Sequence, residues 1–271
     1  MTDLVTTASL SAHPVDDGVV VIEMNRPHRL NAMSVELIDD LHAQWDVLAT
    51  RPDIRVVILT GTGRGFCAGL DLVDYDGDQE SDSASPQPRF AMQERIAALV
   101  TKSRALPQIV IAAVNGPAAG GGLALALAAD IRVASRSASF GVSFVRIGLS
   151  GADIGVSWLL PRLIGASRAF ELLLTGRMID ADEAERIGLV GSLTDEPVVD
   201  AANQLAREVL ANSPMGVRMT KQVMWSQLEV SSLQAGIDLE NRTQIMTTYT
   251  RDHLEAVDAF VHKRTADFGD H

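Results

Sequence analysis

The chain has 271 residues, 46% of them hydrophobic and 21% charged, with a formal net charge of −12. That content supports the core of one large domain, or of one domain with a smaller appendage, and excludes a wholly disordered chain. The negative charge argues against non-specific nucleic-acid binding, which needs a basic face, but not against an anionic small ligand held by a few local cations. At the N-terminus, MTDLVTTASLSAHP has neither a basic signal region nor an Arg-rich amphipathic pattern, and no later apolar run approaches the roughly 18 residues of a membrane-spanning helix. The expectation is a soluble cytoplasmic protein with no membrane partner.

GVVVIEMNRP, Gly18 to Pro27, reads as a β-branched strand stopped by proline. Ser34 is a plausible N-cap for a helix whose apolar residues Leu37, Ile38, Leu41, Trp45 and Leu48 share one face. DIRVVILTG (Asp53 to Gly61) and PQIVIAAVNG (Pro107 to Gly116) are near-continuous apolar strands, the form taken by parallel sheet covered on both faces. Between them DYDGDQESDSASPQPR, Asp74 to Arg89, is strongly acidic and reads as a solvated loop or as a lid over a site. The first two thirds is therefore α/β. From about Ile154 the pattern turns helical: Ala202, Leu205, Ala206, Val209 and Leu210 fit a helical stripe, and NSP at Asn212 to Pro214 ends that helix and begins another. Further helices are expected near Ser231 to Met246 and Arg251 to Lys263. The division drawn is an α/β core over residues 1–200 and a helical region over 201–271.

Two glycine-bearing turns, GTGRGFCAGLDL (Gly61 to Leu72) and NGPAAGGGLALALAAD (Asn115 to Asp130), each follow a strand and enter a helical segment. Backbone N–H groups at such helix starts lack intrahelical partners and carry the positive end of the helix dipole, so two of them aimed at one point form an oxyanion hole. Close packing of Gly120, Gly121 and Gly122 is the plainer alternative. Rival chemistries fit poorly: GTGRGF fails GxGxxG at Phe66, neither turn contains GK[ST], and GxSxG is absent. Cys67, the only cysteine, excludes an intrachain disulfide and reads as a small packing residue. The six histidines show no HxxxH or HExxH spacing, so no metal site is expected.

MNRPHRLNAMS, GRGFCAGLDL, IAAVNGPAAGGGLALALAADIRVAS, FGVSFVRIGL, LLPRLIGASRAFELLLTGRMIDADEAERIGLV and AFVHKR together resemble the crotonase superfamily of enoyl-CoA hydratases and isomerases, over about Val20 to Arg264. The resemblance implies a spiral of ββα units with a C-terminal helical trimerisation region, assembled as a homotrimer or dimer of trimers. It implies an acyl-CoA thioester as ligand, with coenzyme A as part of the substrate and no other cofactor. Ala68 resembles the first oxyanion-hole position and Gly121 the second. His28, Arg29 and Leu30 resemble the segment along the pantetheine and phosphates; Cys67, Leu70 and Asp71 lie in the turn that surrounds the adenine end, where Asp71 also reads as a cap. Phe260 and Lys263 resemble tail residues that reach CoA in a neighbouring subunit.

Departures from the family pattern bear on the reaction. Hydratases of the family carry two glutamates for acid and base work; here those positions are Ala124, beside the Gly120–Gly122 run, and Phe144. Asp153, in GADIGVSWLLPRLIG, resembles the catalytic aspartate segment of dienoyl-CoA isomerases, with one residue more between it and Phe140. It reads equally as the cap of a helix beginning near Ile154. Three functions follow from these residues: isomerase-like or other enolate chemistry using Asp153, a noncatalytic acyl-CoA-binding protein, and a CoA-ester hydrolase with a bulky apolar pocket.

Overall fold

The computed structural model describes residues 3–76 and 86–269. The middle of the acidic stretch read as loop or lid, 77–85, lies outside the described residues. Two compact units are present, Met1–Asn203 and Gln204–His271.

In the first unit β1 (Leu10–Asp16) turns back antiparallel onto β2 (Val19–Met24). The chain then makes a short 3-10 turn at Pro27–Arg29 and enters α1 (Val35–Leu48). Ser34 caps α1 by accepting the Leu37 N–H at 3.2 Å, and Leu37, Ile38, Leu41, Trp45 and Leu48 are all buried, as the 3.6-residue stripe requires. β3 (Val56–Gly61) and β4 (Ile109–Val114) follow, separated by α2 (Leu72–Asp76) and α3 (Gln87–Ala105). Both strands are buried at every residue, the state expected of apolar runs inside a parallel sheet.

Two ββα units come next: β4 with β5 (Pro117–Ala119) and α4 (Gly121–Ala128), then β6 (Ile131–Ser135) with β7 (Ser139–Gly141) and α5 (Val156–Ile164). α6 (Ala166–Thr175), β8 (Met178–Asp180), α7 (Ala181–Arg186) and β9 (Ser192–Thr194) complete the series. Among the described residues the strands form a six-stranded sheet in the order β1-β2-β3-β4-β6-β9 and a three-stranded one in the order β5-β7-β8. From β2 to β9 the larger sheet is parallel. Its successive crossovers bring the carboxyl ends of β2, β3 and β4 side by side, the edge at which open α/β sheets place ligands.

α8 (Val198–Leu210) contains the boundary between the units. In the second unit α9 (Pro214–Gln227), α10 (Leu233–Thr247) and α11 (Arg251–Val261) are each opened by a hydroxyl cap, Ser213, Ser232 and Thr250. Pro214 occupies the first turn of α9, where its missing N–H costs no helical bond. No helix among the described residues is long and apolar enough to cross a membrane.

Candidate functional site

Three loops leave the adjacent carboxyl ends of β2, β3 and β4, and asparagines tie them together. Asn31, fully buried and left-handed at φ 56°, donates through Nδ2 to the carbonyls of Thr62 (2.9 Å) and Gly65 (2.8 Å). Asn115 Nδ2 donates to the carbonyls of Gly61 (2.8 Å) and Gly63 (2.9 Å). Buried carbonyls of an irregular loop need such donors, because water cannot reach them.

Beyond Gly65 the loop runs between two neighbours. On one side the Cys67 N–H donates to Pro117 and the Ala119 N–H returns to Cys67; on the other the Met33 N–H donates to Gly69 (2.7 Å) and the Asp71 N–H to Met33 (3.0 Å). This parallel bridge uses the groups flanking Leu70, so the Leu70 N–H points away from Met33 and donates to no group among the described residues. Gly69 has φ +101°, a conformation that favours glycine. The Ala68 N–H, expected from the sequence as the first oxyanion donor, is already engaged by the Leu30 carbonyl at 3.0 Å. The available donor is two residues further on, at Leu70.

Gly121 opens α4, so its N–H has no acceptor within the helix, and it finds none elsewhere among the described residues. A Cβ placed on Gly69 would lie 3.5 Å from the Gly121 nitrogen, which puts the two turns in contact beside Leu70. Gly122 supplies the close approach: a Cβ there would overlap the Cys67 carbonyl. At Gly121 a Cβ would overlap the Met33 methyl and come within 3.4 Å of Ile154 Cδ1, so packing alone explains glycine here. Packing thus accounts for glycine at both Gly121 and Gly122, and Gly121 in addition carries an N–H with no acceptor among the described residues.

Apolar side chains surround this pair of amides. Phe144 stands with Cε1 3.4 Å from a Cβ placed on Gly120, and Ala124 is fully buried one turn into α4. Neither position offers a carboxylate. The nearby acid is on the half-buried residue Asp153, directly before Ile154. Its Oδ1 accepts the Ile154 N–H at 2.8 Å and Gln93 Nε2 at 2.5 Å. The cap reading of Asp153 fails in detail: α5 begins at Val156 with Gly155 as N-cap, and the aspartate side chain bonds the next amide rather than the second or third of the helix. Ile154 has φ +35°, an uncommon value for a β-branched residue, so the backbone is strained beside the acid.

The remaining site residues separate. His28 and Arg29 are exposed on the turn after β2, and Leu30 follows at φ 50°. Cys67 is fully buried and burial pushes its thiol up to about 12, so its side chain is a packing group that lines no ligand surface. Asp71 caps the next turn, accepting the Val73 N–H at 3.2 Å. Arg26, which the sequence reading passed over, joins these parts. Its Nη1 donates to the Ala32 carbonyl (2.5 Å) and to Asp71 Oδ2 (2.9 Å), and its Nη2 to Asp74 Oδ2 (2.9 Å). Burial would raise the Asp71 carboxyl; the Arg26 hydrogen bond and charge, with the Asp74 and Val73 amides, outweigh that and hold it below its ordinary value. Gln93 was also missed, on a helix the sequence did not announce. Phe260, 85% exposed, and Lys263 belong to the second unit, at the end of α11 and just beyond it.

Two unpaired amides in neighbouring turns, set beside apolar side chains, are an arrangement suited to a carbonyl oxygen that gains charge. Residues 15–271 match the family model for enoyl-CoA hydratase/isomerase. A protein of Mycobacterium tuberculosis named as a probable enoyl-CoA hydratase is 41% identical over 265 residues, covering 96% of this chain and 92% of that one. The 1,2-epoxyphenylacetyl-CoA isomerase of Escherichia coli is 40% identical over 261 residues, covering 94% and 96%. The crystal structure of an enoyl-CoA hydratase from Bacillus anthracis superposes with a TM-score of 0.90 at 35% identity, covering 97% of this chain and all of that one. With the fold and the sequence in agreement along nearly its whole length, this chain belongs to the enoyl-CoA hydratase/isomerase family of the crotonase superfamily and is an acyl-CoA-processing enzyme.

Proposed function

We propose that the enzyme isomerises an acyl-CoA through its enolate, with the Leu70 and Gly121 N–H groups holding the thioester oxygen and Asp153 moving the proton. The observation that carries this reading is the approach of Ile154, the residue after Asp153, whose Cδ1 lies 3.4 Å from a Cβ placed on Gly121, in a site that has alanine at position 124 and phenylalanine at 144. Hydration needs water to be activated and a proton supplied to the α-carbon. A double-bond shift needs one base, which takes a proton from C2 of a 3-enoyl thioester and returns it to C4 once the electron pair has moved. One aspartate suffices for that. Two preorganised donors stabilise an enolate oxygen by about 2.7–4 kcal/mol each.

On this reading Arg29, with His28 and Leu30, meets the phosphates and pantetheine of CoA, and Phe260 and Lys263 serve a neighbouring subunit. The chemistry requires no metal or redox group. Assembly as a homotrimer or dimer of trimers is supported by apolar side chains exposed on the second unit, among them Leu233 (83%), Tyr249 (85%) and Leu254 (68%).

The test is a panel of 2-enoyl-, 3-enoyl- and dienoyl-CoA thioesters assayed for isomerisation, hydration and CoA release, with Asp153→Asn alongside. Isomerisation lost in Asp153→Asn, with acyl-CoA affinity kept, is the expected result. Unchanged turnover removes Asp153 from the mechanism; CoA release makes the protein a thioester hydrolase, and binding without turnover makes it a carrier.

A further inference from the structure

α3 has an exposed first half and buries only Ile96, Leu99, Val100 and Ser103 further along. Gln93, in that exposed half, nonetheless makes a specific contact across 60 positions of sequence: its Nε2 donates to Asp153 Oδ1 at 2.5 Å. The same oxygen accepts the Ile154 N–H at 2.8 Å, whereas Oδ2 accepts no hydrogen bond among the described residues. One oxygen of the carboxylate is therefore held from two directions while the other is left open.

We infer that Gln93 is a positioning residue for Asp153: it fixes the carboxylate so that Oδ2 is the oxygen presented to the substrate proton. The inference rests on the proposed role of Asp153. The bond to the next amide in the chain closes a small ring and fixes one point of the side chain, but it leaves rotation about the Cα–Cβ and Cβ–Cγ bonds coupled to a strained Ile154. A second donor from a different element removes that freedom. Glutamine suits the task because its amide donates without adding charge beside a carboxylate that must gain and lose a proton. A lysine or arginine at 93 would favour the ionised form and weaken the base.

Among the described residues no other side chain bonds Asp153. Gly155, which follows Ile154, packs near Val100 Cγ1, and Ile154 Cδ1 faces Gly121, so the neighbours that α3 and α4 supply there are apolar. Loss of Gln93 consequently leaves the carboxylate tethered at one point and free to turn Oδ2 away from the thioester.

The experiment compares wild type, Gln93→Leu, Asp153→Asn and the double variant, using a 3-enoyl-CoA whose conversion to the conjugated 2-enoyl-CoA is followed by absorbance. Deuterium exchange at the α-carbon is read by mass spectrometry in the same samples. For Gln93→Leu, kcat is expected to fall roughly 10- to 100-fold with KM within about twofold, as for a catalytic group displaced by about 1 Å. On the Asp153→Asn background the Gln93 change is expected to have no further effect, since two residues acting as one unit are not additive. Circular dichroism and the thermal midpoint of Gln93→Leu should match wild type, because the residue is exposed.

An inactive Asp153→Asn beside a fully active Gln93→Leu overturns the positioning role and leaves the proposed function standing. A Gln93→Leu variant with raised KM and unchanged kcat also overturns it, by making Gln93 a substrate contact. Wild type inert in both assays, or Asp153→Asn fully active, overturns the proposed function itself.

Discussion

Replacing Arg26 with methionine tests what holds the Leu70 amide in place. The Arg26 and Asp71 side chains are 14% and 4% exposed, their charged atoms are 2.9 Å apart, and the same guanidinium nitrogen also binds the Ala32 carbonyl. Removing one partner of a buried pair costs about 3–5 kcal/mol, because the remaining charge is left uncompensated. Asp71 keeps the Val73 N–H at 3.2 Å, and Arg29 Nε stands 3.9 Å away, so the structure places the loss lower, at about 2–3 kcal/mol. Denaturant titration with linear extrapolation reads that difference. The double variant Arg26→Met with Asp71→Leu should regain most of it, since no buried charge remains. The pH dependence has a definite sign. Asp71 is depressed in the folded state, so the stability its pairing contributes is present above the ordinary carboxylate value of about 3.9 and is lost as pH falls through the folded value. The gap between wild type and Arg26→Met should therefore narrow as pH drops below about 4. A variant within about 0.5 kcal/mol of wild type, or a gap that stays constant from about pH 6 to about pH 3, would refute the reasoning.

Three other outcomes follow from the same geometry. An ester in place of the Leu70 amide, introduced through the α-hydroxy acid, should lower kcat about 100- to 1,000-fold by removing one donor; the same change at Ala68, whose N–H already binds Leu30, should act on stability instead, and equal kcat losses at both would return Ala68 to the site. Cys67, with its thiol raised to about 12 by burial, should resist a maleimide in native protein and react on unfolding; its raised value also means that stability falls as pH climbs from the ordinary thiol range of about 8.5 towards the folded value, while a Cys67→Ser variant lacks that alkaline slope. Gly122→Ala must displace the Cys67 carbonyl from α4, so soluble protein with a markedly lower thermal midpoint is expected, and an unchanged midpoint would show that the turn and helix separate without cost.

How much of this was legible beforehand depended on which signals are local. The parallel strands showed themselves because burial on both faces demands an unbroken apolar run, and α1 because Ser34 and a 3.6-residue stripe agree. α3 did not, since half of it is exposed and its four buried residues, Ile96, Leu99, Val100 and Ser103, do not extend into its first two turns. Gln93 was hidden with it: a glutamine on a solvated helix carries no sign that its partner lies 60 residues away. The two glycine turns were readable as motifs, but the N–H left unpaired in the first of them belongs to Leu70, two residues beyond Ala68. Motif spacing shows which loop supplies an amide, and only the pairing of Met33 with the groups around Leu70 shows which N–H is left over. Arg26 and Asn115 were missed for a related reason. Their partners are loop carbonyls and two carboxylates, Asp71 and Asp74, and sequence carries no local record of such bonds.

The missing glutamates acquire a physical meaning once these contacts are combined. In a site where α4 offers only Ala124 and the 144 side chain is an aromatic ring over Gly120, the two positions that carry glutamates in hydratases of the family offer water no carboxylate. The proton carrier proposed here instead stands on the segment between Phe144 and α5, with one oxygen tied to its own chain and to α3. Such a group can return the proton it takes without exchanging place with a second acid, provided its orientation is fixed throughout. The polar bonds to Asp153 Oδ1 and the apolar wall of Met33, Phe144 and Ile154 are then two parts of one requirement. On the proposed mechanism the part of the wall is to repel competing water from the acyl group, and the part of the bonds is to keep the single base aimed. An enlarged cavity at Phe144→Ala should accordingly admit water and lower the ratio of isomerised to hydrated product more than it lowers total turnover, which product analysis of the 2-enoyl and 3-hydroxyacyl thioesters would measure; an unchanged ratio would mean that Phe144 shapes the acyl pocket without controlling water.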